Sequence, residues 1–194
     1  MYRAHYRGKV LKLANATGHN ISTIGYGART PASIVEQLQS AGIRYVVDVR
    51  SSPFSRQQPE FSREPLQRLL ADSGLKYVFM GDQLGGRPPD ASCYTNGRVD
   101  YEKCREQDFF RAGVRRLLDA CDQGLPLCIL CSEGRPVNCH RSKLIGVALE
   151  EDGVQVLHLL PDGGVCSQAD VIRELTRGQQ SMFGDHFLSR RAYR

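Results

Sequence analysis

Two thiols, a carboxylate, an imidazole and two guanidiniums crowd the segment CSEGRPVNCHR, residues 131–141. His140 suits proton transfer near neutral pH. Arg135 and Arg141 suit anion binding, because a guanidinium donates two parallel hydrogen bonds to a phosphate or carboxylate. Glu133 can act as general base, with His140 as acid or second base. Cys131 stands ahead of a predicted helix N-terminus, where the helix dipole and arginine neighbours lower a thiol pKa. It is the candidate nucleophile, against the alternative of a buried, inert thiol. Cys139 reads better as a packed residue that supports the loop. Cys131, Cys139 and His140 also make a conceivable metal set, with Cys104 or His158 as a fourth ligand. CxxC and HxxxH spacings are missing from the segment, so neither a metal nor another cofactor is predicted.

Further groups of the same kind lie upstream. In VVDVR, Asp48 and Arg50 follow an apolar run. Asp48 is a candidate general base and Arg50 a candidate anion ligand; the competing reading is a structural salt bridge. Ser55 follows in the same loop as a candidate ligand-binding residue. In LGGR, Gly85 and Gly86 let backbone approach a ligand beside Arg87, although a tight turn without a ligand has the same appearance. His158 alternates within an apolar run and reads as a core histidine rather than a catalyst.

These residues meet only if the elements that carry them converge. Apolar runs predict strands over 21–27, 43–50, 75–80, 127–130 and 154–160. Helical spacing predicts helices over 31–42, 62–74, 106–124 and 167–178, and another after the 131–141 loop. Thr30 and Pro31 form an N-cap and first helical residue, and Asn138 is the expected cap of the helix after the loop. Gly, Pro, Asp and Asn dominate 81–104, which is predicted to be a long loop. The alternation gives an α/β fold: three layers, a mostly parallel, Rossmann-like sheet of about five strands, and helices on both faces. In such a sheet the loops after Gly25, Asp48 and Cys131 share the carboxyl edge, where ligands bind. A lead-in over 1–20, a single domain over 21–178 and a C-terminal arm over 179–194 complete the expected organisation.

The 194 residues are enough for one domain with a sizeable core. Apolar residues at 41% and charged residues at 24% are ordinary for a soluble protein. No apolar run reaches the roughly 20 residues that span a bilayer, and no secretory h-region is visible, so a cytoplasmic protein with no membrane partner is expected. The odd cysteine count of 7 argues against a disulfide framework. A net charge of +5 permits an anionic partner without demanding one.

TIGYG, VVDVRSSPFSR, LKYVFMGDQLGGRP and ILCSEGRPVNCHR, in this order, resemble the domain-of-unknown-function family 488 over residues 21–160. The resemblance implies a compact α/β domain. It also implies a shared site at Asp48, Arg50, Pro53, Ser55, Tyr77, Leu84, Gly85, Gly86, Cys131, Glu133, Cys139, His140 and Arg141. The family often has His-Ser after TIG, where this chain has Tyr26 and Gly27, so no histidine role carries over there. The resemblance implies no reaction. A strand-end cysteine before an anion-cradling loop is also similar to cysteine phosphatases and rhodaneses. Here Arg135 and Arg141 do not stand at the phosphatase spacing from Cys131, and Glu133 would repel a phosphate.

The leading expectation is an enzyme, a hydrolase or transferase, acting on a phosphorylated, nucleotide or nucleic-acid ligand. Arg50, Ser55, Gly85, Gly86, Arg87, Arg135 and Arg141 would hold the ligand, and Asp48, Glu133 and His140 would do the chemistry. The alternatives are a binding module without chemistry and a thiol enzyme or redox sensor centred on Cys131. Substrate, reaction and oligomeric state stay open.

Overall fold

The strand nearest the reactive loop, Leu127–Cys131, is buried at all five positions, as an apolar run enclosed by neighbours on both sides must be. In the structure, a computed structural model that describes residues 19–178 and 187–193, it is the sixth of nine strands in chain order. The strands are β1 (Asn20–Gly25), β2 (Tyr45–Asp48), β3 (Lys76–Phe79), β4 (Tyr94–Thr95), β5 (Arg98–Asp100), β6 (Leu127–Cys131), β7 (Gln155–Leu159), β8 (Val165–Ser167) and β9 (Leu188–Ala192). The helices are α1 (Pro31–Ser40), α2 (Arg63–Asp72), α3 (Gly81–Leu84), α4 (Tyr101–Arg105), α5 (Asp108–Asp122), α6 (Val147–Glu151) and α7 (Gln168–Leu175). The expected lead-in lies outside the described residues except at its end, as does the start of the expected arm.

A six-stranded sheet runs in the order β3-β2-β6-β1-β7-β8. Its first five strands are parallel, and β8 returns antiparallel to β7. Alternate side chains enter two separate cores. Ile24, Val46, Cys128 and Leu130 meet Ile34 and Leu38 of α1 and Leu66 and Leu70 of α2 on one face. Ile21, Val47 and Ile129 meet Val114 and Leu117 of α5 and Leu149 of α6 on the other. This is the three-layer α/β arrangement the periodicity implies, with one more strand at the edge. Thr30 caps α1 by accepting from the Ser33 N–H at 3.2 Å. Ser167 and Asp170 form a reciprocal capping box on α7. Among the described residues, no helix is long and apolar enough to cross a membrane.

Two expectations need correction. The stretch 81–104 is not one loop but α3, a β4–β5 hairpin and α4. Its turn is Asn96-Gly97, both in the left-handed region at φ 50° and 74°, the backbone a two-residue hairpin requires. Strand β9, from the expected arm, pairs antiparallel with β5 and completes a second sheet, β4-β5-β9. Asn138 does not cap a helix either: it closes a 3-10 turn, Pro136–Asn138. The helix begins only at Arg141, with π-type turns over Arg141–Gly146 that lead into α6. Such widened turns are rare and cluster at functional sites.

Candidate functional site

The parallel register pairs Gly25 with Cys131 and Asp48 with Leu130, so the loops after β1, β2 and β6 leave one edge side by side. Gly25 is required by this closeness. A Cβ there would lie 1.9 Å from the Glu133 carbonyl oxygen.

Asp48 has no exposed surface. Its Oδ1 accepts from the Arg50 N–H at 3.1 Å and from Nε at 2.8 Å. Its Oδ2 accepts from Arg50 Nη2 at 2.6 Å and from the Tyr77 hydroxyl at 2.7 Å. Arg50 Nη1 donates to the Phe61 carbonyl at 2.7 Å. Burial disfavours the Arg50 cation, but the Asp48 carboxylate more than offsets it and holds the guanidinium protonated. Burial and the same carboxylate push the Tyr77 hydroxyl up. Through both oxygens Asp48 positions Arg50 and Tyr77, and unlike Arg50 it is not among the residues that line the neighbouring cavity.

Arg141 is likewise fully buried. Its Nη1 donates to the Glu133 carbonyl and its Nη2 to the Gly134 carbonyl at 2.9 Å. It therefore holds the loop shut from below rather than reaching a ligand. Arg135 is exposed and ion-paired with Glu174 of α7. Ser55 stays in the turn before α2, where its hydroxyl accepts from the Gln58 N–H at 3.2 Å. Gly85 and Gly86 fold the LGGR turn against neighbours: a Cβ on Gly85 would lie 2.4 Å from Ser51 Oγ, and one on Gly86 2.7 Å from His140 Cγ.

His140, wedged against Gly86, has its Nε2 3.1 Å from the Val49 carbonyl oxygen. A carbonyl only accepts, so Nε2 carries the proton. The Nδ1 atom faces two sulfurs, Cys131 Sγ at 3.9 Å and Cys139 Sγ at 3.8 Å. These three donor atoms all lie within 4.8 Å of one another. The thiols differ sharply. The hydrogen bond to Cys139, together with burial, pushes Cys131 up to about 12. Burial also opposes ionisation of Cys139, but the Cys131 thiol, the Arg141 guanidinium and the Arg141 N–H at 3.4 Å outweigh it and hold Cys139 down to about 6. Of the pair, Cys139 has the surroundings that favour a thiolate. His158, by contrast, is a satisfied core residue, bonded to Thr23 Oγ1 at 2.7 Å and Gln168 Oε1 at 2.8 Å.

Cys131, Cys139 and His140 form the floor of a cavity of about 270 Å³ whose wall includes Glu133. Arg50, Gly86 and Arg87 also line it, so of the four arginines expected to converge only Arg50 and Arg87 do so. The rim contains two cations that the motif reading missed, Arg190 and Arg191 of β9, both exposed. Tyr193 beside them lies under the Arg87 guanidinium, 5.2 Å from its ring centre. The signal was the basic and aromatic run SRRAYR, which has no motif spacing and no regular period.

A family model described as Domain of unknown function DUF488 matches residues 30–148, which include β2, the LGGR turn and the whole 131–141 loop. No curated protein and no solved structure matches the chain.

Proposed function

Since the chain belongs to the DUF488 family, a description that carries no reaction, we propose its function from the cavity: an enzyme that acts on a phosphorylated, nucleotide or nucleic-acid ligand. Arg87, Arg190 and Arg191 receive the anion. Glu133 acts as general base over the floor of Cys131, Cys139 and His140. One observation carries this reading. Exposed guanidiniums from two distant segments ring a cavity that has two thiols and an imidazole at its base. Three cations on one rim attract and orient an anion, and a carboxylate in the wall supplies a proton acceptor within the same space.

Calorimetric titration with inorganic phosphate, nucleoside monophosphates and a short single-stranded oligonucleotide tests the first half. Replacing both Arg190 and Arg191 with Ala is expected to weaken binding at least about tenfold, with a smaller salt dependence. Unchanged affinity removes the anion reading. For the second half, Glu133→Gln is expected to keep binding while slowing turnover by about 10²–10⁴. Absence of any turnover with a tightly bound ligand favours the binding module instead.

A further inference from the structure

We infer that Cys131, Cys139 and His140 form a three-ligand site for a zinc-type divalent ion, with a fourth coordination position open to the cavity. Two cysteine sulfurs, Cys131 giving up its proton as the ion binds, and an imidazole are the donor set that Zn²⁺ favours over the oxygen-seeking ions. The spacing fits. Tetrahedral zinc, with bonds of about 2.3 Å to sulfur and 2.0–2.1 Å to nitrogen, sets a sulfur and a nitrogen about 3.6 Å apart. The two sulfurs here stand 3.9 and 3.8 Å from His140 Nδ1, within a few tenths of an ångström of that separation, and the three donor atoms all lie within 4.8 Å of one another.

The imidazole carries an independent sign. Its Nε2–H is committed to the Val49 carbonyl at 3.1 Å, which leaves the Nδ1 lone pair aimed at the space between the sulfurs. Metal-bound histidines make this same outer bond, which fixes tautomer and ring orientation. The scaffold is also set in advance. Cys131 ends β6 in register with Gly25, Gly86 packs on the imidazole, and Ser142 Oγ donates to the Cys139 carbonyl at 3.1 Å. Arg50 is already paired with Asp48, and Arg141 donates through both terminal nitrogens to loop carbonyls.

All three ligands line the cavity, so water or an oxygen of the incoming anion completes the tetrahedron. Three protein ligands and one open position mark a catalytic rather than a structural zinc site. The ion's binding does not depend on the anion reading above.

The test uses the full chain, kept reduced, stripped with a chelator and titrated with Co²⁺. One equivalent is expected to bind, with a thiolate-to-cobalt band in the near ultraviolet and tetrahedral absorption in the visible, both abolished by one equivalent of Zn²⁺. Cys139→Ser and His140→Gln are expected to weaken cobalt binding at least about tenfold, whereas Cys104→Ser leaves it unchanged. No stoichiometric cobalt binding, or binding without the thiolate band, overturns the inference, and this wild-type result decides even where a variant fails to fold. Phosphate titration of the stripped protein separates the two readings. Phosphate binding without a cobalt band overturns the metal site alone; a cobalt band without phosphate binding leaves the metal site standing and overturns the anion reading.

Discussion

Asp48 and His158 are both buried polar residues on central strands, and their partners decide what each can do. Asp48 is legible from VVDVR as a residue with chemistry, but not as half of an ion pair. Tyr77 and Phe61, which complete that network, come from other loops and elements. His158 is held neutral: burial, the nearby Arg141 charge and a partly compensating bond to Gln168 bring its pKa down to about 4 from an ordinary 6.5. A histidine that resists protonation when folded contributes stability that is complete above about pH 6.5 and is lost as pH falls toward 4. Between pH 7.5 and 4.5 this loss is about 2–3 kcal/mol. Urea unfolding of the wild type and of His158→Asn at both pH values measures it. The gap in stability between the two proteins should narrow by that amount in acid, and parallel profiles would refute the assignment.

At the scale of elements, the parallel strands were legible because each is a short apolar run between turn residues. The second sheet was not. Strands β4 and β5 are two and three residues long, and β9 is LSRRA, polar and without alternation. Their identity comes from pairing across long sequence separations, which no local window reports. The one local trace was Asn96-Gly97. That turn is tied to a residue of the cavity wall, because the Gly97 carbonyl accepts from the Tyr193 N–H at 2.7 Å. An alanine at Gly97, where φ is 74°, costs about 1–2 kcal/mol of left-handed strain. Gly97→Ala should therefore lower stability by about that much and weaken phosphate binding together with it. Calorimetry that shows intact phosphate affinity in the destabilised variant would disconnect the hairpin from the site.

For the molecule as a whole, two sheets of unequal size border one cavity. The fold class followed from βαβ alternation. That a cavity opens at the loops after β2 and β6 agrees with the carboxyl-edge rule, which needs only strand order. The division of labour among the arginines did not follow, because sequence shows which residues are cationic but not which are already bound. The six-stranded sheet is enclosed by two cores, whereas β9 carries exposed residues over most of its length. Native-state hydrogen exchange should report this: amides of Leu127–Cys131 exchange only through global unfolding, and those of Leu188–Ala192 through smaller openings. Equal protection in the two segments would mean that the sheets open as one unit.

The placement of Arg190 and Arg191 has a consequence for biosynthesis. Residues 19–178 carry both cores and all six strands of the large sheet, and elements made first begin to fold first on the ribosome. Strand β9 emerges afterwards, and only then can β5 find its second partner and the cavity its cationic rim. The nascent chain thus acquires its thiols and imidazole well before the residues that would attract an anion to them. Removing β9 from a finished molecule would take Arg190 and Arg191 with it and return the cavity to that earlier stage.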